Sequence, residues 1–132
     1  NIRIDVTFPT SSNDKIIVRA DAPRLRLVFE NLISNAVKYS PINSTVTMGY
    51  KDRGSLREFT IKDQGIGIPK GEQKKIFTGY HRAGNAAKSG ILGSGFGLYM
   101  AKKIIDFHAG TITVESPPGE GTTFHITIPS GV

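Results

Sequence analysis

The chain contains no cysteine, which excludes disulfides, zinc–thiolate centres and thiol catalysis. No apolar run approaches the roughly 20 residues needed to cross a bilayer, and no signal-peptide pattern opens the sequence. A cytoplasmic segment without membrane contact of its own is expected, which leaves room for an anchor elsewhere in its parent protein. Basic side chains outnumber acidic ones by 17 to 11, a net charge of +6. Yet there is no block of five or six cations, and no aromatic-interleaved basic stretch on which bases could stack. Nucleic acid is therefore not an expected partner, and an anionic small ligand or an acidic protein surface explains the sign equally well. His81, His108 and His125 lack metal-ligand spacing, and no Ser–His–Asp grouping follows from spacing. His108 falls on an apolar helix face and His125 alternates within a strand, so structural roles are expected for both. Internal repeats and low-complexity tracts are absent too.

Glycine is what the chain has in excess. Fifteen occur in 132 residues, and nine of them fall between Gly65 and Gly97. A uniformly glycine-rich chain reads as disorder, whereas a cluster marks a loop whose backbone must approach something closely. The length suits one domain, residues 1–132, able to bury a core without staples. Because the sequence starts directly on a strand, it is expected to be a domain of a longer protein.

Alternation of Ile2, Ile4, Val6 and Phe8 with polar residues predicts a first strand, and Ile16–Arg19 a second. Asp21 reads as an N-cap, with Pro23 in the first turn of a helix running to about Tyr39. On that helix Leu25, Phe29, Leu32 and Ala36 share an arc of about 60° facing the core, and Asn31, Asn35 and Lys38 share an adjoining one. Strands follow over Thr45–Lys51 and Leu56–Lys62, joined by a turn at Asp52-Arg53-Gly54-Ser55. A short helix is predicted over about 69–77, then an aperiodic stretch from Thr78 to Ser94 long enough to act as a lid. A helix from about Gly95 to His108, capped by Gly110, precedes strands over Thr111–Glu115 and Thr122–Ile128. This order predicts an α/β (α+β) two-layer sandwich: a mixed, mostly antiparallel sheet with three helices on one face.

Three segments carry candidate chemistry. Asp63 ends a strand on its core side, where a carboxylate needs donors. Asp63-Gln64-Gly65 is readable as a plain turn, but an acid there can also accept from an exocyclic amine such as adenine N6, with Gly65 and Gly67 letting the backbone approach the ring. The Asn31, Asn35 and Lys38 stripe is readable as a solvated face. It also offers an amide oxygen to Mg²⁺ from Asn35 and a point charge to phosphate from Lys38, with Tyr39 beside them to cover adenine or ribose. Gly93-Ser94-Gly95-Phe96-Gly97 opens a helix with bare N–H groups, a setting that favours anions. Glu30 lies about 140° from Asn35 on the wheel, off this face.

Taken together these residues resemble the catalytic and ATP-binding domain of sensor histidine kinases, within the gyrase–Hsp90–histidine kinase–MutL superfamily. The stretch from Asn31 to Pro41 is similar to the family's asparagine box, and Asp63 to Gly67 to its first glycine box. Phe77 with Tyr80 resembles the phenylalanine box, Gly93 to Leu98 the second glycine box, and Gly121-Thr122-Thr123-Phe124 the closing element. The resemblance implies a Bergerat-type ATP-binding fold and use of ATP with Mg²⁺. It implies catalytic roles for Asn31, Asn35, Lys38 and Arg82, the last near the γ-phosphate, with Asn35 as the metal ligand. Nucleotide contacts are implied for Asn31, Asn35, Lys38, Tyr39, Asp63, Gly65, Gly67, Ile68, Gly93, Gly95, Phe96, Gly97, Leu98 and Thr122. Tyr80 stands where a second phenylalanine is commoner, which bears on how the lid docks. Asn31 occupies the place of the glutamate base of the superfamily's hydrolysing members, so slow hydrolysis is implied. The implied acceptor is a histidine on a dimerisation domain of the same parent protein, and beyond it a response-regulator receiver domain. The isolated domain is expected to be a monomer. A serine kinase acting on a protein antagonist, and a non-catalytic nucleotide-binding module, remain alternatives at this point.

Overall fold

The computed structural model describes residues 3–7, 18–78 and 96–131. Asp21 accepts the Arg24 N–H at 3.2 Å through Oδ1 and starts α1, Ala22–Tyr39. Ser40 closes it, its hydroxyl donating to the Ala36 carbonyl at 2.6 Å. The deepest stripe of α1 is Val28, Leu32 and Ala36, with Leu25 and Phe29 only partly buried. It is therefore turned toward the asparagine stripe relative to the predicted arc, because α1 packs against a second helix as well as the sheet.

The strands are β1 (Arg3–Thr7), β2 (Thr45–Asp52), β3 (Leu56–Lys62), β4 (Thr111–Glu115) and β5 (Thr123–Pro129), in the order β1-β2-β3-β5-β4. β1 runs parallel to β2, and every other pair is antiparallel. In the β2–β3 turn Gly54 takes φ +77°, and its N–H donates to Asp52 Oδ1 at 2.9 Å. Val18 and Arg19 carry no strand, while the rest of the predicted second strand and, Thr78 apart, the predicted lid over 78–94 lie outside the described residues.

α2, Phe96–Phe107, lies antiparallel to α1: Asn31 meets Gly97, and Asp21 meets His108. Together the two helices cover one face of the sheet, where Val28, Leu32, Ala101 and Ile105 meet Val46, Ile61, Ile126 and Ile128. The opposite face is polar, with the cross-strand row Thr60, His125 and Thr113 running across it. That is the two-layer sandwich the sequence predicts.

Two details depart from the sequence pattern. The predicted helix over 69–77 is a 3₁₀ turn, Lys70–Glu72, followed by further turns. Its N–H groups at Glu72, Lys75 and Thr78 each reach back three residues, so the chain winds too tightly for an α-helix. The helical layer thus holds two α-helices among the described residues rather than three. At the end of α2 the left-handed residue is Ala109, φ 56°, and not Gly110. Gly110 still caps the helix, its N–H donating to the Ile105 carbonyl at 3.0 Å, and it must be glycine because a Cβ there would sit 2.2 Å from the Thr127 carbonyl oxygen.

His108 has the structural role expected of it. Its Nδ1 lies 2.8 Å from the Ile104 carbonyl, and its Nε2 accepts the Asp21 N–H at 2.9 Å. Both contacts together require the neutral ring with its proton on Nδ1. The ring so joins the last turn of α2 to the N-cap of α1. His108→Ala should lower stability by about 1 kcal/mol, read as a lower urea midpoint at unchanged slope. An unchanged midpoint would remove this clamp from the account.

Candidate functional site

Asp63 follows β3 directly and is only 5% exposed. Its Oδ1 accepts the Gly65 N–H at 2.8 Å and the Thr122 N–H at 3.2 Å. Its own N–H donates to the Thr122 carbonyl at 2.8 Å. Among the described residues none donates to Oδ2. Burial pushes the carboxyl pKa above its ordinary value, and the bonds from Gly65 and Thr122 pull part of that shift back. A buried acid with a spare acceptor is thus the chemical centre of this region.

Two loops frame it. Residues 63–68 lie against the end of α1, where the Ile66 N–H donates to the Tyr39 carbonyl at 3.3 Å. A Cβ at position 65 would come within 2.3 Å of that same oxygen. Glycine at 65 is thus already demanded by contact with α1, whereas the sequence pattern assigns its openness to an approaching ring. From the other side Gly121, at φ +73°, packs on Asp63 so closely that a Cβ would lie 2.2 Å from the Asp63 carbonyl oxygen.

The asparagine stripe leads away from this cluster along α1. Asn31 is half-buried, and its Nδ2 donates to the Gly97 carbonyl at 3.4 Å. From Asn31 to Tyr39 is eight residues, about 12 Å along the axis. α1 therefore touches the first turn of α2 at one point and the 63–68 loop at the other. Asn35 and Lys38 stand between. Asn35 is half-buried and its side chain makes no hydrogen bond to another described residue, and Lys38 is exposed with no ion pair among them. Glu30 is exposed, off this stripe.

Of the residues singled out from sequence, Tyr39, Asp63, Gly65, Gly67, Ile68 and Thr122 gather in one cluster, and Asn31 joins Gly97. Leu98 packs half-buried against the core. Phe96 opens α2. Tyr80, Arg82, Gly93 and Gly95 lie outside the described residues. Sequence reasoning missed Gln64, Gln73 and Ser116. Gln64 Oε1 accepts the Thr45 N–H at 2.9 Å, tying the loop to the start of β2. Ser116 and Gln73 both bond to Ile68. Their partners are distant in sequence or belong to the backbone, and a polar residue beside a turn carries no mark of such a bond.

Among the described residues no group of three or more His, Asp or Glu side chains could cage a metal ion. No described helix is long and apolar enough to cross a membrane.

Residues 20–132 match the family model of histidine kinase-, DNA gyrase B-, and HSP90-like ATPases. The chain is 37% identical over 127 residues to the circadian input-output histidine kinase CikA of Synechococcus elongatus, covering 96% of this chain and 17% of that protein. It is 41% identical over 131 residues to the adaptive-response sensory kinase SasA of Prochlorococcus marinus, covering 98% and 34%. It thus spans about a third or less of the length of these relatives. Among solved structures it superposes on the mycobacterial sensor histidine kinase MprB with a TM-score of 0.80 at 28% identity, covering 97% of this chain and 81% of that one.

Since the folded pKa of Asp63 is raised, the native state holds that proton more tightly than the unfolded chain does. The contribution of this group to stability is full below its unfolded pKa and is lost as pH rises through the folded one. An asparagine can keep both bonds to Oδ1 without the buried charge. Asp63→Asn should therefore raise the urea midpoint of the ligand-free domain near neutral pH, with the gain shrinking as pH falls through the folded pKa. A variant less stable than its parent at neutral pH would contradict the assigned burial cost.

Proposed function

This chain belongs to the histidine kinase-, DNA gyrase B-, and HSP90-like ATPase family, and we propose that residues 1–132 form the catalytic and ATP-binding domain of a sensor histidine kinase. The domain binds Mg-ATP and passes the γ-phosphoryl group to a histidine on a dimerisation domain of its parent protein. A response-regulator receiver domain is the onward acceptor, and the domain works in the cytoplasm.

The observation that carries this reading is the acceptor left over on Asp63. With Oδ1 taken by two backbone donors, Oδ2 of a buried acid is suited to an exocyclic amine, as adenine N6 provides. Thr122 and the 63–68 loop border the base, and Tyr39 lies beside it. From there α1 leads toward Gly97, so the polyphosphate follows Lys38 and Asn35 to the first turn of α2, whose N–H groups favour anions. Gly93, Gly95 and Arg82 take the phosphate-side roles that their motif positions imply.

The donor set suits Mg²⁺ in one particular way. Asn35 supplies a half-buried amide free of other described partners, and among the described residues no group of three or more carboxylates or histidines forms a cage. A hard ion that keeps water and phosphate oxygens in its shell needs no more protein than that. When bound, such an ion neutralises charge on the phosphate oxygens. The residues of the chain hold the nucleotide in place, and the nucleophile comes from outside. A histidine nitrogen then bonds to the γ-phosphorus as the bond to the β–γ bridging oxygen breaks and ADP leaves. Positioning and charge neutralisation account for most of such catalysis.

Water is a poorer acceptor here. Asn31, where a hydrolysing relative would carry a glutamate, is bonded to Gly97, and Glu30 is exposed off the stripe.

Calorimetry should show Mg-ADP binding to this domain. Asp63→Asn should weaken it by about tenfold or more, because a donor replaces the acceptor facing the base. Asn35→Ala should weaken the Mg²⁺-dependent part, so identical Mg²⁺ titrations in variant and parent would remove Asn35 from the metal. With labelled ATP and a supplied histidine-bearing acceptor domain, Glu30→Gln should transfer phosphate nearly as the parent does. A hundredfold loss would show that Glu30 acts in the reaction.

A further inference from the structure

The two amides that hold Asp63 come from loops far apart in sequence, and a single hydroxyl ties those loops together. Ser116, 8% exposed, accepts the Ile68 N–H at 2.9 Å and donates to the Gly121 carbonyl at 2.6 Å. It also lies 3.3 Å from Thr122 Oγ1. Gln73 completes the tie from the far side. Its Nε2 donates to the Ile68 carbonyl at 3.1 Å and to the Ser116 carbonyl at 3.2 Å, so both amide protons are committed. Ile68 thus has its N–H and its C=O each held by a side chain.

We infer that Ser116 and Gln73 are positioning residues for base recognition, fixing the 63–68 loop against residues 116–122 so that the free oxygen of Asp63 keeps its aim. The inference rests on the proposed reading of Asp63 as the acceptor for the base amine. Neither side chain hydrogen-bonds to Asp63 itself, and both act through the backbone. Removing the Ser116 hydroxyl leaves the Ile68 N–H and the Gly121 carbonyl without partners at once. The Gly65 and Thr122 amides then lose their common anchor, and the carboxylate they share can turn.

A purely stabilising role predicts something different from an aiming role. The discriminating probe is Mg-IDP, in which a carbonyl oxygen replaces the exocyclic amine of Mg-ADP. The parent domain should prefer Mg-ADP by about tenfold or more. Ser116→Ala should bring that ratio close to unity, and Ser116→Thr, which keeps the hydroxyl, should restore much of it. Gln73→Met, similar in length but without the amide, should also compress the ratio, and it decides the matter should Ser116→Ala fail to fold. A lowered urea midpoint with the parent's ADP-to-IDP ratio intact would overturn the inference and leave only a structural tie. A parent domain that binds Mg-ADP and Mg-IDP equally would instead overturn the acceptor role of Asp63, and this inference with it.

Discussion

A carboxylate buried to 5% exposure and held by two amides on one oxygen is the constraint around which this domain is built. An acid so placed is unfavourable for the empty fold, which is why burial pushes its pKa up. Its surroundings reduce the cost only in part. Gly65 and Thr122 satisfy one oxygen, Gly121 brings its loop onto the backbone of Asp63, and the other oxygen accepts from none of the described residues. On the proposed reading, stability and binding are set against each other at this one side chain.

The rest of the architecture gives that acid a direction. α1 contacts the Asp63 loop at Tyr39 and the start of α2 at Asn31, with Asn35 and Lys38 between. One rigid helix thus sets the distance between the acid and the first turn of α2. The antiparallel seam of α1 and α2, closed at its other end by His108, fixes that distance. The candidate site belongs to the helical face of the sheet and not to its polar back.

Much of this was legible because the signals are local. Asp21 with Pro23 marks the start of α1, alternation marks β1, and strand parity places Asp63 on the core side. The asparagine stripe follows from helical rotation alone. What escaped depends on contacts made through space. Val28 is in the core because α2 covers that flank of α1, which no single-helix wheel contains. Residues 69–77 carry a helix-like pattern, but the chain takes i to i−3 turns there while the Gln73 side chain is bonded to Ile68 and Ser116. Gly110 caps α2 through its N–H on the Ile105 carbonyl, as its position suggests, but the crowding that demands a glycine there comes from β5. Ser116 looks like any serine before a Pro-Pro turn until its partner 48 residues away is brought alongside.

The most direct measurement is a carboxyl-carbon NMR titration of Asp63, with and without saturating Mg-ADP. The account predicts that the empty domain titrates above the ordinary aspartate range and that nucleotide moves the midpoint down, since an amine on Oδ2 favours the ionised form. A midpoint that nucleotide leaves where it was, in a domain shown to bind it, would contradict the claim that this acid receives the base.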